Sequence, residues 1–405
     1  MSAASSPLLP VEEYLERVVA LAPSLPSEEV PVNEGFGRTL AETLVARVAV
    51  PPFDNSAMDG FAVRIDDVQQ GGSLPVSADV PAGSRTLREL APGSCARIMT
   101  GAPMPLGADT VVPVELTDQP LGSAPLPETV TFAEAVERGR NVRARGENVA
   151  EGDEVLIAGQ RWTAEAAASA ASIGYGTVPL RRRTRVAVLA TGSELVAAGA
   201  ELAHGQIPDS NSVMLAGLGQ QFGGEVAHCT SVPDDPETFR AELSKAMAAD
   251  IIVTTGGVSV GAYEVVRQVV QDIDYVRVAM QPGQPQASGA MRAPDGRSVA
   301  FLGLPGNPVA AWVSAWIFLR SMILTTQGQA DRAVIGEFDV AEEWPKRSGR
   351  WQYVPVQIVG GQAVPTHRLR TGSHLVATLS LAQGIAMIPP ERESSGTRVQ
   401  VLLTV

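Results

Sequence analysis

Three short polar loops in the middle of the chain contain residue types that bind phosphate-bearing molecules. They are Thr191-Gly192-Ser193-Glu194, Gly256-Gly257-Val258-Ser259 and Pro305-Gly306-Asn307-Pro308. Each loop follows a run of β-forming apolar residues, which predicts a buried strand ending at the loop. Glycine lets the backbone turn tightly, and the N–H groups of such a turn can surround an anion. A single loop of this kind can equally be a structural turn, whereas three at one sheet edge favour a ligand site.

Two further candidates lie nearer the N-terminus. Asp54 and Asp59 share one loop, where two carboxylates can hold Mg²⁺ or orient a nucleophile. A polar turn into the strand-like segment Phe61–Val63 explains the same residues. The Thr100-Gly101 step can offer a hydroxyl and an amide to an anion, or serve only as a rigid Pro/Gly loop.

The central loops are positioned by alternating strands and helices, which predict an open parallel α/β sheet for residues 177–330. Ligands of such sheets bind at the carboxyl ends of the strands. The apolar patterns predict strands at Arg185–Ala190, Glu225–Ala227, Ile251–Thr255 and Ser298–Leu304, and helices at Val213–Gln221, Pro236–Ala249 and Ala262–Val270.

The flanking regions complete a multidomain α/β plus β fold, in a chain long enough for two to four domains. Residues 51–140 are rich in Pro and Gly with short apolar runs, which predicts an inserted β module. Residues 1–50 and 141–176 are predicted to form a discontinuous linker domain with helices at Pro10–Leu21, Arg38–Ala46 and Thr163–Ile173. Residues 331–405 are predicted to form a compact C-terminal β domain.

The composition of the chain argues against several classes of protein. The net charge of −13 argues against a nucleic-acid-binding protein. Two distant cysteines, Cys95 and Cys229, make neither a disulfide framework nor a zinc pattern. The sequence shows no signal peptide, and its most apolar run, Val309–Leu319, is shorter than the about 20 residues of a membrane span. We therefore expect a cytoplasmic protein with no membrane insertion.

Seven motifs, in this order, resemble those of the MoeA family of molybdopterin molybdenumtransferases, whose module also forms the E domain of gephyrin. The motifs are PPFDNSAMDGFAV at 51–63, RIMTGAPMPLGADTVV at 97–112, VRARGEN at 142–148, TGSEL at 191–195, DSNS at 209–212, TTGGVSVG at 254–261 and LPGNPVA at 304–310.

The resemblance implies an elongated homodimer with a MogA-like molybdopterin-binding α/β domain and a barrel-like C-terminal domain. Its activity would be insertion of molybdate into adenylylated molybdopterin, with Mg²⁺-dependent release of AMP. The cleft would lie between the α/β domain of one chain and the inserted module of the other. The implied catalytic residues are Asp59, Thr100, Glu194 and Glu264, with Asp59 and Glu194 as Mg²⁺ ligands. The implied substrate-binding residues are Thr191, Gly192, Ser193, Asp209, Ser210, Asn211, Gly256, Gly257, Ser259, Gly261, Pro305, Gly306, Asn307 and Pro308.

The chain departs from the family pattern where molybdate is expected to bind. Gln281 and Gln284 stand where the family has lysines, and Glu264, Ala310 and Asn148 replace Asp, Ser and Asp. The implied molybdate contacts are Gln281, Gln284, Arg350 and Ser373.

These departures leave an alternative open, a gephyrin-like dimeric scaffold with reduced catalysis. Its partners would be peptides of a membrane receptor or of a cell-division protein such as FtsZ. The partners of a transferase would instead be proteins of the molybdenum cofactor pathway. A generic dinucleotide enzyme lacks its GxGxxG fingerprint here.

Overall fold

The structure is a computed structural model that describes residues 8–86, 88–134, 136–258, 264–346, 349–367 and 375–404. Its centre is a six-stranded sheet in the order Glu225–Val232, Arg185–Thr191, Ile251–Thr255, Ser298–Leu304, Pro285–Arg292 and Asp274–Arg277. All five residues of Ile251–Thr255 are buried, as its uncharged β-forming sequence predicts.

The predicted parallel sheet is confirmed for the first four strands, but the whole sheet is mixed. The last two strands are antiparallel to their neighbours. The reason lies in the connections: only a short turn separates Pro285–Arg292 from Ser298–Leu304, and a parallel pair needs a much longer crossover.

Helices cover both faces of this sheet. Pro236–Ala246 begins where predicted, because the Asp235 carboxylate accepts a hydrogen bond from the Thr238 N–H and Pro236 occupies the first turn. Of the helix predicted at Ala262–Val270, the described part is helical at Val265–Val269, and residues 262 and 263 lie outside the described residues. The covering helices are Asn211–Gln221, Pro236–Ala246, Val265–Val269 and a continuous element made of Pro308–Ser314, a π-helical Ala315–Leu319 and Arg320–Thr326.

The helical element at 308–326 is long and apolar enough to cross a membrane, with a mean hydropathy of 1.4 over its window. Within the structure, 78% of that window is buried. The ring of Phe318 packs edge-on against Tyr14 of the N-terminal helix Val11–Ala20, with centroids 4.9 Å apart. In the described part of the chain this element therefore packs as a core helix.

The inserted region forms the predicted β module. It is a five-stranded sheet with two small apolar cores, in the order Thr110–Pro113, Gly60–Val63, Cys95–Ile98, Ser73–Val80 and Thr129–Thr131.

The linker region contains short paired strands and the predicted helix Ala164–Ser172, capped by the Thr163 side chain. The helix predicted at Arg38–Ala46 is wrong. Tertiary pairing overrides its local helical pattern, since its residues form two short strands that bury Leu40 and Leu44. The strand pairs are Ser27–Pro31 and Thr39–Leu40 on either side of Thr177–Arg181, Leu44–Val45 with Glu154–Leu156, and Asn55–Ser56 with Val142–Arg143.

The predicted C-terminal β domain is a closed five-stranded barrel. Around the ring, the strands are Trp351–Val359, Gln362–Pro365, Ile335–Val340, Arg398–Leu403 and Gly384–Ile388, and the last pairs again with the first. The short strand Met280–Gln281 adds to the barrel at Trp351–Gln352. Tyr353 and Leu402 belong to the same apolar cluster as residues of the α/β sheet and of its covering helices, so the barrel shares a core with the α/β domain.

Candidate functional site

A cavity of about 350 Å³ lies at the carboxyl ends of the parallel strands. All three predicted glycine loops contribute to its wall, so the structure brings together residues far apart in sequence. The lining residues are Thr191, Gly192, Glu194, Leu195, Ile207, Pro208, Asp209, Ser210, Asn211, Asp234, Gly256, Gly257, Glu264, Gly306 and Pro308.

Gly256 lies close to two neighbouring loops. Its φ is +87°, and a Cβ there would lie 2.7 Å from the carbonyl oxygen of Thr191 and 2.8 Å from its Oγ1. A Cβ on Gly306 would lie 3.2 Å from the Gly256 Cα. Glycine is therefore required at 256 both by backbone conformation and by space.

The Asn211 side chain links two of these loops through hydrogen bonds. Its Nδ2 donates to Thr255 Oγ1 at 2.9 Å and to the Gly306 carbonyl oxygen at 2.8 Å. The Oδ1 of Asn211 is buried without a partner among the described residues. Because Asn211 lines the cavity and buried acceptors are normally satisfied, we expect a ligand N–H to fill this role.

A second cavity, of about 480 Å³, adjoins the first, and the two share Gly256, Gly257, Glu264 and Gly306. Its remaining lining residues are Val258, Gln281, Pro282, Gly283, Gln284, Pro285, Pro305, Asn307 and Ala310. Arg350 Nη1 donates a hydrogen bond to Gln284 Oε1. Three of the predicted molybdate contacts, Gln281, Gln284 and Arg350, therefore lie in one region. The fourth, Ser373, falls outside the described residues, and so do the predicted ligand-binding residues Ser259 and Gly261.

Ser193 has a different place from the one predicted, since it is not among the described residues that line either cavity. Its N–H donates to Asp234 Oδ2 at 3.1 Å, and its Oγ accepts from the Asp234 N–H at 3.0 Å. Ser193 therefore orients Asp234, which does line the first cavity. Sequence analysis missed Asp234, although an acidic residue just after the strand Glu225–Val232 was the available signal.

An apolar wall was also missed. Leu195 and Ile207 are register partners in the short parallel pair Leu195–Val196 and Ile207–Pro208, which forms one side of the first cavity. An apolar surface beside polar loops suits a flat heterocycle that carries phosphates.

Charge in the first cavity is entirely negative. Four carboxylates line it, and neither Lys nor Arg occurs among the described lining residues of either cavity. The described residues also contain no group of three or more His, Cys, Asp or Glu placed to hold a metal ion. A phosphate-bearing ligand must therefore rely on backbone amides and on a cation that the ligand helps to coordinate. The carboxylates are Glu194, Asp209, Asp234 and Glu264.

Asp59 and Thr100 form a separate group on the exposed surface of the inserted module. The N–H and the Oγ1 hydroxyl of Thr100 both donate to Asp59 Oδ1, each at 2.7 Å. These two hydrogen bonds lower the pKa of Asp59 below its ordinary value. Neither residue belongs to the described lining of the two cavities, so a single chain does not bring Asp59 to Glu194.

Thr100→Val should raise the pKa of Asp59 toward its ordinary value, because the variant keeps the backbone donor and removes the hydroxyl donor. In the native chain these bonds stabilise the fold above the unfolded-state pKa, and this contribution is lost as pH falls through the lowered folded-state value. Carboxyl NMR titration of Asp59 measures the change. Thr117→Val is the control, since the Thr117 hydroxyl donates to the Val114 carbonyl instead. An unchanged Asp59 titration in Thr100→Val would contradict the assignment.

Comparison with known proteins covers nearly the whole chain. Residues 9–174 match the model of the MoeA N-terminal region (domain I and II), 187–325 match a probable molybdopterin binding domain, and 338–404 match the MoeA C-terminal region (domain IV).

Several curated relatives share the same name. The molybdopterin molybdenumtransferase 2 of Mycobacterium tuberculosis is 36% identical over 96% of this chain and 98% of its own length. The Haemophilus influenzae molybdopterin molybdenumtransferase is 37% identical over 75% of this chain and 74% of its own. Among solved structures, the molybdopterin biosynthesis MoeA protein of Pyrococcus horikoshii aligns with a TM-score of 0.84 and 29% identity, covering 98% of this chain and 99% of that one.

Proposed function

The chain belongs to the MoeA family of molybdopterin molybdenumtransferases, and from this premise we propose that the two adjoining cavities are its active site. Its homologues act in molybdenum cofactor biosynthesis. The proposed reaction is insertion of molybdate into adenylylated molybdopterin with release of AMP. The observation that supports this most directly is the wall shared by the cavities, because it would bring a phosphate-bearing ligand and an oxyanion side by side.

We assign the adenylylated molybdopterin to the first cavity. The Gly257 N–H on the cavity wall can bind its phosphates without a cationic side chain, whereas the N–H groups of Gly192 and Gly256 already donate to the carbonyl oxygens of Val232 and Leu304, each at 3.1 Å. The apolar wall of Leu195 and Ile207 would pack against a ring, and the free Oδ1 of Asn211 would accept from a ring N–H.

Magnesium fits the donor set of this cavity, since Mg²⁺ binds one or two carboxylates together with substrate phosphates. Glu194 and Asp59 are the proposed ligands. When bound, the ion would neutralise charge on the phosphoanhydride as it breaks. The carboxylates of Asp209, Asp234 and Glu264 would orient the ion and the ligand, while the glycine loops hold the phosphates in place.

Asp59 can reach such a site only if another chain supplies it, so we propose a homodimer with composite active sites. The Asp59 carboxylate is exposed and anionic, which suits a group that completes a cavity on a second copy. The same loop exposes apolar side chains at Phe53 (45%) and Met58 (39%), which would be covered by the partner.

Molybdate is assigned to the second cavity, with Gln281, Gln284 and Arg350 as donors. Because Gln284 Oε1 already accepts from Arg350, its amide N–H groups remain for an oxyanion. Neutral amides give weaker hydrogen bonds than the family's lysines, so we expect turnover to need higher molybdate concentrations.

Gln281→Lys should tighten molybdate binding about tenfold, since a charge-assisted bond contributes about 1–2 kcal/mol more than a neutral one. Gln284→Lys should gain less, because the new ammonium would lie beside the Arg350 guanidinium. Isothermal titration with molybdate measures both variants, and Gln271→Lys on the exposed surface is the control for net charge. Equal affinities in all four proteins would remove Gln281 from the molybdate site.

The function itself is tested by AMP release from adenylylated molybdopterin, with and without molybdate and Mg²⁺. Molybdate-dependent release supports the transferase, and its absence under saturating substrates overturns it. No observation on the described residues favours the gephyrin-like scaffold, so peptides of a membrane receptor or of FtsZ are not proposed as partners.

The cellular location and the domain boundaries are also proposals. We propose a cytoplasmic location, where cofactor-pathway proteins would supply the substrate. We also propose domain boundaries at 1–50 with 141–176, 51–140, 177–330 and 331–405.

A further inference from the structure

The loop Gln281–Pro285 spans two parts of the molecule. Before it, Met280–Gln281 pairs with the barrel strand at Trp351–Gln352, and after it Pro285–Arg292 enters the α/β sheet. Every residue of the loop lines the second cavity. Its conformation therefore decides where the amides of Gln281 and Gln284 are presented.

A single buried side chain holds the middle of this loop. Gln286 is 0% exposed, and its Nε2 donates to the Gly283 carbonyl oxygen and to Ser314 Oγ, each at 2.7 Å. The Gly283 carbonyl can only accept, which fixes the orientation of the amide. Both hydrogen bonds are shielded from water, so losing them leaves buried groups unsatisfied.

Gly283 packs closely against Met280 and against Ser314, the residue that also bonds to Gln286. Its φ is +111°, and a Cβ there would lie 2.9 Å from Met280 Cε and 3.1 Å from Ser314 Oγ. Ser314 ends the helix Pro308–Ser314, whose residue Ala310 lines the same cavity. The Gln286 amide thus connects the loop on one side of the cavity to the helix on the other.

We propose that Gln286 is a positioning residue for oxyanion binding, which sets the Gln281–Pro285 loop at the distance from the helix that the anion requires. This inference rests on the proposed function, because it takes the second cavity as the oxyanion site. Gln286 acts through the Gly283 carbonyl and lies behind the cavity wall, so it orients the amides of Gln281 and Gln284 and does not contact the substrate.

The test is Gln286→Met, which keeps the size of the side chain and removes both hydrogen bonds. The KM for molybdate should rise about tenfold, while the KM for adenylylated molybdopterin changes less than about twofold. Ser314→Ala removes one of the two bonds and should give a smaller rise of about threefold.

Gln327→Met is the matched control. Gln327 is also buried, at 4% exposed, and it follows the helix Arg320–Thr326, outside the described lining of both cavities. Replacing it removes the same chemical group, together with the hydrogen bond that its Oε1 accepts from Gln329, away from the Gln281–Pro285 loop. An equal rise in the molybdate KM for Gln327→Met and Gln286→Met would overturn the proposal.

Amide hydrogen exchange separates this inference from the function. In Gln286→Met the Val278 amide, which donates to the Gln284 carbonyl oxygen at 2.8 Å, should exchange at least about fivefold faster than in the native protein, with the Ile251–Thr255 amides unchanged. Unchanged exchange at Val278 overturns the positioning role whatever the activity. If the native protein releases no AMP, the proposed function fails while this measurement still decides the role of Gln286.

Discussion

Gly256→Ala should lower molybdate-dependent AMP release by at least about 100-fold, the loss expected when reacting groups are displaced by about 1 Å. An alanine Cβ at this position would lie 2.7 Å from the Thr191 carbonyl oxygen, so one of the two loops must move. The left-handed backbone adds a cost of about 1–2 kcal/mol for any residue with a Cβ. Both effects act on the turn that presents the Gly257 N–H assigned to the phosphates.

Gly217→Ala is the control for this variant. Gly217 lies on the exposed side of the helix Asn211–Gln221, and a Cβ there would meet nothing within 4 Å. This change should leave AMP release unaltered and stabilise the fold by about 1 kcal/mol, since alanine favours helix more than glycine does. The measurements are AMP release, AMP affinity and thermal unfolding. A folded Gly256→Ala protein with near-native AMP affinity would show that these loops do not bind the phosphates.

The part of the site that sequence predicted well depends on local signals. An uncharged β-forming run followed by glycine marks the end of a buried strand, and parallel strands end at the same sheet edge. The loops at Gly192, Gly256 and Gly306 were therefore expected to meet, and they share one cavity. The seven motifs supplied the fold in addition, down to the barrel-like C-terminal domain.

The parts that sequence missed depend on partners distant in the chain. The helix expected at Arg38–Ala46 gave way to strands because Leu40 pairs with Leu180, 140 positions away. Ser193 was expected to bind the ligand, but its hydrogen bonds go to Asp234 on a neighbouring strand end. A residue's local pattern shows that it can donate a hydrogen bond, and only the tertiary structure shows which group receives it.

The carboxylates pose a different problem, because sequence motifs do not say which chain provides each group. Asp59 and Glu194 were predicted as a magnesium pair, yet Asp59 belongs to the exposed surface of the inserted module and Glu194 to the cavity wall. If both groups serve one reaction, two copies of the chain must meet. That requirement can be tested without a structure of the dimer.

Mixing Asp59→Asn protein with Gly256→Ala protein should restore about one quarter of native AMP release, although each variant alone is nearly inactive. Random exchange makes half of the dimers mixed, and each mixed dimer has one site built entirely from native residues. Asn at 59 removes the charge while its oxygen can still accept from Thr100, so the module should keep its fold. Two defects in one cavity cannot complement each other, which makes Glu194→Gln mixed with Gly256→Ala the control. If subunits demonstrably exchange and the first mixture stays inactive, Asp59 does not act on the partner's cavity, and the composite site is wrong.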